Sequence, residues 1–260
     1  MSEEPESRII GGKPAEAGQF PYFVRIVAYG GPWSETRIHR GGGSIIDPRW
    51  VLTAGHVIVL TTNTSEPITY HIEAGSIISG EPRQFQIVIN DHAFLHPEYN
   101  SSILENDIGL IRIKPFTFDE YVQPIRIALG SWNAESYIGE TITAMGFGYT
   151  SNDGPVSDVL LWTTLTVISR EECQPFYDYL PLSCFCGVDK NEKPPITATC
   201  SGDSGGPVVI TRKAKKGKKQ LVEIGLVSFS STEGCSNAPN GYTNIAQFHD
   251  WLTLTMAQNS

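Results

Sequence analysis

The chain has 260 residues, 40% of them hydrophobic and 18% charged, a globular balance that excludes disordered and fibrous classes. Its formal net charge of -9 argues against nucleic acid as a partner, because phosphate contacts need clustered Lys and Arg. No unbroken apolar run is long enough for a membrane-spanning helix, so no membrane partner is expected.

The first eight residues, MSEEPESR, are acidic and lack the apolar core of a signal peptide. Beyond them, short apolar-rich runs recur at 22–28, 50–53, 84–89, 107–113, 141–147, 163–168, 207–211 and 221–228. Turn formers punctuate the gaps, and the spacing predicts antiparallel β-structure closed into barrels or packed as sandwiches. The stretch 114–124 (KPFTFDEYVQP) interrupts the strands and is the expected linker between halves. Ser169-Arg170-Glu171-Glu172 reads as a capping box opening a short helix to about residue 177. Six of the eight residues 212–219 are Lys or Arg, which reads as a solvated hairpin loop. Near the end, Ile245, Phe248, Leu252 and Thr255 share one helical face with Trp251 alongside, predicting a C-terminal helix against the outside of a barrel.

Five cysteines, at 173, 184, 186, 200 and 235, permit at most two internal bridges. Disulfides imply an oxidising compartment, and glycosylation sequons begin at Asn63 and Asn100.

Three strings carry chemistry. Gly202-Asp203-Ser204-Gly205-Gly206-Pro207 places a serine among glycines. A hydroxyl is a poor nucleophile until a base takes its proton and donors await the oxyanion. The N–H groups of Gly202 and Ser204 are the natural oxyanion donors, since glycine lets the backbone approach a carbonyl unobstructed. His56, in Leu52-Thr53-Ala54-Gly55-His56, is the candidate base. Asp107 opens the apolar run Asp107-Ile108-Gly109-Leu110, an expensive place for an unpaired charge. Each residue alone has a bland reading as core, cap or turn; together they support one another.

These strings, in the order His, Asp, Ser, resemble the catalytic motifs of the trypsin/chymotrypsin family, and the likeness runs from Ile9 to about Trp251. The resemblance implies an all-β fold of two packed six-stranded antiparallel Greek-key barrels with a C-terminal helix. It implies an activation peptide at 1–8, an N-terminal barrel at 9–118 and a C-terminal barrel at 119–260. By the same resemblance His56, Asp107 and Ser204 form a catalytic triad, with Asp107 holding the imidazole tautomer. Arg8-Ile9-Ile10-Gly11-Gly12 resembles a zymogen activation junction. Cutting after Arg8 would free the Ile9 amine to pair with Asp203, and His39 matches a histidine that holds this aspartate beforehand in some zymogens. Disulfides Cys173–Cys186 and Cys200–Cys235 are implied, leaving Cys184 over, and Gly41 and Val57 stand where the family usually has a further cysteine pair.

The specificity pocket implied by the resemblance is built from Ala198, Ser228, Ser230 and Asn240. Ala198 puts no charge at the floor, so a preference for Arg or Lys lacks its counter-ion. Ser230 and Asn240 replace glycines of open pockets, which predicts a shallow site, as in elastases and the brachyurin-type digestive proteases. The resemblance therefore implies a secreted serine endopeptidase that acts on protein or peptide substrates after uncharged small or apolar residues. Its partners would be a separate trypsin-like activating protease and a protein protease inhibitor. No cofactor and no metal are expected; Ser76 stands where a calcium-binding loop glutamate would be. A non-catalytic binding protein on the same scaffold is the alternative.

Overall fold

The structure is a computed structural model that describes residues 9–30, 37–59, 67–128, 130–152, 154–190, 196–213 and 219–260. Arg8, the rest of 1–8, Asn63 and residues 214–218 of the basic loop lie outside the described residues.

The first half forms one antiparallel sheet from β2 (Phe23–Gly30), β3 (Arg37–Asp47), β4 (Trp50–Thr53), β5 (Thr69–Ala74), β6 (Gln84–Ile89), β7 (Ala93–Leu95) and β8 (Gly109–Arg112). Their order is β6-β5-β2-β3-β4-β8-β7. Alternation sets the inward faces: in β5, Tyr70, Ile72 and Ala74 are buried while the residues between them are half-exposed. They join Val24, Ile26, Ile45, Val51 and Ile111 in the first core. The open edge of β6 is spanned by side chains: the amides of Gln84 and Gln86 bond the main chain of Thr117 and Lys114 in both directions. The linker read at 114–124 contains no strand.

The second half supplies β10 (Thr141–Gly146), β11 (Leu161–Ile168), β12 (Cys184–Val188), β13 (Pro207–Lys213), β14 (Lys219–Phe229) and β15 (Asn240–Asn244). These six close on themselves, because β11 pairs with both β10 and β12. Two short strands, β1 (Lys13–Pro14) and β9 (Arg126–Ile127), dock on the ring through β11 and β14. Ile142, Leu165, Val208, Ile210, Ile224 and Tyr242 fill its core. The chain forms the two barrel-like antiparallel sheets expected from the resemblance, but the first has seven strands rather than six and its end strands β6 and β7 do not pair.

The capping box is present: Ser169 Oγ accepts from Glu172 N, and the Glu172 carboxylate accepts from Ser169 N at 2.9 Å. It opens α2 (Arg170–Cys173), which tightens into a 3₁₀ turn at Gln174–Phe176. At the C-terminus a 3₁₀ turn at Ile245–Phe248 runs into α3 (His249–Gln258). Ile245, Phe248 and Leu252 bury against Trp50, Leu52 and Leu110 of the first sheet and Leu226 of the second. The terminal helix therefore straddles the seam between barrels.

Strand β3 lies outside the apolar runs because its centre is Gly41-Gly42-Gly43. Glycine inside a strand marks a close backbone approach. A Cβ on Gly41 would sit 2.6 Å from Ser204 O, and one on Gly42 3.0 Å from the Gly206 Cα. Gly41 and Gly42 let the second barrel reach the first, while a Cβ on Gly43 would meet Leu52 O and Ile26 of its own sheet.

Candidate active site

The pairing of β4 with β8, Thr53 opposite Gly109, sets the geometry of the first two site residues. The chain leaves β4 through Ala54 into the single turn α1 (Gly55–Ile58), which carries His56. Asp107 lies just before β8 and is fully buried. Its Oδ1 accepts from His56 N at 2.9 Å, and its Oδ2 lies 2.8 Å from His56 Nδ1. The carboxylate thus fixes both the backbone and the ring of the histidine. Oδ2 also accepts from Ser228 Oγ at 2.6 Å. Burial pushes the Asp107 carboxyl up, but the charge of His56 and these hydrogen bonds outweigh it and hold the group below the usual carboxylate range.

Ser228 reaches Asp107 because the β14–β15 register shifts between Val227 and Phe229. A bulge leaves one residue unpaired and re-aims its side chain. The sequence reading gave Ser228 to the specificity pocket; it lines the pocket and also supports Asp107. Nothing in the sequence signals that bulge.

Ser204 sits in a turn gripped from both barrels. Its carbonyl accepts from Gly42 N at 2.7 Å, and Gly205 N donates to Val227 O at 2.7 Å. Gly205 has φ +74, and a Cβ there would lie 2.2 Å from Thr53 Oγ1 and 3.0 Å from Ala54 N. The turn therefore presses on the segment leading into His56. Gly202 has φ +93. The N–H groups of Asp203, Gly205 and Gly206 are taken by carbonyls, whereas those of Gly202 and Ser204 have no acceptor among the described residues. Ser204 Oγ makes no hydrogen bond to His56 among the described residues; in ligand-free triads this bond is often long and tightens with substrate.

Asp203 points away from the turn into a fully buried site. Gly148 N and Cys200 N donate to its two oxygens at 2.8 and 2.9 Å. Burial pushes its pKa up to about 7 despite those bonds. Gly146 and Gly148 make the space, since a Cβ on either would lie within 2.6 Å of the Asp203 side chain. Ile9 is completely buried, and Ile10 O accepts from Ala198 N at 3.1 Å. His39 packs edge-on against the His56 ring at 5.7 Å; burial, aided by His56, pulls its pKa down to about 4.

Val57 fills the place of the cysteine pair that the family has beside the histidine. It is fully buried, with methyls 3.1 and 3.2 Å from where a Gly41 Cβ would be. Packing of Val57 against Gly41 occupies the place of the crosslink there.

A pocket of about 210 Å³ opens beside Ser204, lined by Thr199, Cys200, Ser201, Val227, Ser228 and Ser230. Ala198 and Asn240 are buried behind this lining. Asn240 accepts from Thr199 N and donates to Cys235 O, each at 3.0 Å, so it braces the wall. Thr199 and Ser201 were missed as pocket residues; they lie in irregular backbone after the isolated bridge at Ala198, where no periodicity marks which side chains face the pocket. Disulfides join Cys200 to Cys235 and Cys173 to Cys186. Cys184 is a buried free thiol, pushed by burial up to about 12.

Residues 9–252 match the family model described as Trypsin. The chain is 31% identical to Serine protease 1 of Drosophila melanogaster, covering 95% of this chain and 85% of that one. It is 31% identical to Chymotrypsin-2 of Vespa crabro over 94% of this chain and 98% of the relative. A 30% identity to Collagenase of Hypoderma lineatum covers 95% of this chain and 86% of that protein. Among solved structures, HL collagenase superposes with a TM-score of 0.76 at 27% identity, covering 96% of this chain and 99% of the other.

Proposed function

The chain belongs to the trypsin family and is a serine protease, and from that premise we propose that it is a secreted endopeptidase, made as a zymogen, that cleaves after uncharged small or apolar residues. The observation that carries the reading is the Ser228–Asp107–His56 chain of hydrogen bonds beside two unpaired N–H groups and an uncharged pocket. Asp107 keeps the Nδ1 proton on the ring, which leaves His56 Nε2 as the base. His56 takes the Ser204 hydroxyl proton as Oγ attacks the scissile carbonyl. Gly202 N and Ser204 N receive the oxyanion, where preorganised donors act most strongly. His56 then passes its proton to the leaving amine, and water hydrolyses the acyl-enzyme with His56 again as base.

The zymogen reading draws on Ile9 and Asp203. A buried carboxyl with a raised pKa is suited to receive an ammonium group, and cleavage after Arg8 supplies one on Ile9. The uncharged pocket supports the substrate preference, since no carboxylate is among its lining residues. By the same reading the enzyme is a poor cutter of its own Arg8–Ile9 bond, so a trypsin-like protease activates it.

A peptide library varied at the residue before the cut, applied after controlled cleavage at Arg8–Ile9, tests this. Preference for Ala, Val, Leu or Phe is the expected result; strong preference for Arg or Lys would overturn it. Covalent labelling of Ser204 by a fluorophosphonate after processing is expected, and no labelling would sink the triad itself.

A further inference from the structure

Next to the pocket runs a larger groove of about 610 Å³. One wall is the loop before Asp107, with Ser102, Ile103 and Leu104; the other is the loop after α2, with Phe176, Tyr177 and Tyr179. The walls belong to different barrels, and their outer apolar side chains are well exposed, Phe176 at 54% and Tyr179 at 46%. Nothing in the strand ladders ties one wall to the other. Side-chain hydrogen bonds do, three of them to one carboxylate. Glu105 Oε2 accepts from Tyr179 Oη at 3.0 Å and Leu182 N at 2.9 Å, and Oε1 accepts from Ser183 N at 2.8 Å. The following residue adds a fourth tie, Asn106 N donating to Ser183 Oγ at 3.0 Å.

The first wall needs this tie. Leu104 and Asn106 both have left-handed backbone, φ +53 and +55. A bulky residue such as Leu104 is strained there and persists only where surroundings over-determine it, whereas Asn adopts this region more readily. Glu105 lies between the two. Its main-chain carbonyl accepts from Asn100 N at 3.0 Å, closing the loop on itself while the side chain reaches across. The bonds from Ser183, Leu182 and Tyr179 outweigh burial and hold its carboxyl below the usual range, so it stays an acceptor-only anion at neutral pH.

We infer that Glu105 is a specificity-determining positioning residue: it sets the width of a groove that takes side chains of a peptide on the amino side of the cut. This rests on the peptidase reading above. Glu105 itself touches no substrate; it holds Leu104 against the cleft on one side and the Tyr177–Tyr179 wall on the other. Its removal releases two walls at once, and substrates long enough to occupy the groove lose affinity.

The test compares the processed wild type with Glu105→Ala on two substrates: an acetyl-Phe-Pro-Ala-Leu anilide, and an acetyl-leucine ester too short to reach the groove. Active sites are counted with a fluorophosphonate. The expected result is a rise of about tenfold or more in KM for the long substrate relative to the short one, with kcat little separated. Equal losses on both substrates would overturn the inference, because a general structural role moves both. Should Glu105→Ala fail to fold, Tyr179→Phe removes one of the three donors and leaves the carboxylate. A KM ratio displaced about two- to fivefold is then expected, and an unchanged ratio refutes the role. A wild type that labels with the fluorophosphonate but hydrolyses neither substrate would refute the peptidase reading instead.

Discussion

Glu223 is a buried acid that the proposed chemistry does not use, and its replacement by Gln tests how the two barrels are joined. It sits on β14 with no exposed surface, and its Oε2 accepts from Ser44 Oγ at 2.6 Å on β3 of the other barrel. Its Oε1 and the nearby Tyr22 hydroxyl have no hydrogen-bond partner among the described residues. Burial pushes its pKa from 4.5 up to about 8, with the Ser44 bond pulling weakly the other way. A carboxyl that holds its proton more tightly when folded makes stability fall as pH rises. The loss begins near 4.5, where the unfolded chain ionises, and ends near 8, where the folded one does. The slope is about 1.4 kcal/mol per pH unit, so the ceiling across that window is about 5 kcal/mol. Glu223→Gln stays neutral throughout, and its Oε1 can still accept from Ser44. Thermal unfolding of both chains in a Ser204→Ala background, from pH 5 to 9, measures the difference. The two should unfold within a few degrees of each other at pH 5. By pH 9 the Gln variant should lead by on the order of 10 °C. Asp203 has the same sign, with its pKa near 7, but it is present in both chains and cancels. Parallel Tm curves across the range would refute the reasoning, because they would mean that Glu223 is already ionised in the fold.

Asp107→Asn keeps the shape but presents an amide to His56 Nδ1, favouring the wrong tautomer; related triads lose about 10⁴-fold in kcat, and steady-state kinetics on the processed enzyme should find a loss of that order. Gly41→Ala drives a methyl to 2.6 Å from Ser204 O, so the serine turn must shift; a stability loss of about 1–3 kcal/mol and a fall in kcat/KM are expected from denaturant titration and kinetics. Replacing Cys200 and Cys235 by Ser opens a loop with a sequence separation of 35, at a cost of about 3–4 kcal/mol by chain entropy. Thermal unfolding reads that cost, and because Cys200 lines the pocket and Cys235 O holds the bracing Asn240, substrate binding should weaken as well.

Much of the architecture is written in local pattern. Residues 50–53 and 84–89 alternate or run apolar, and the strands found there end where those runs end. The Ser169 capping box is a four-residue matter and needs no tertiary information. The strands outside the runs read from sequence include β5 and β12, and two others, β3 and β15, whose residues serve a neighbour. In β3 Gly41 and Gly42 give up side chains so that the Ser204 turn can touch the first barrel, and in β15 Asn240 spends its amide on the pocket wall.

The residue types and order of His56, Asp107 and Ser204 were enough to point to acyl transfer, because that chemistry needs a nucleophile, a base and an orienting anion whatever the scaffold. What only the folded chain decided is where the supporting atoms fall. The bulge that turns Ser228 onto Asp107, the methyls of Val57 standing for a missing crosslink and the reach of Glu105 across two loops all join residues far apart in sequence. Such contacts depend on barrel closure and on how one barrel leans on the other. A linear pattern holds the local periodicity of each strand but not the distance between two strands that never pair.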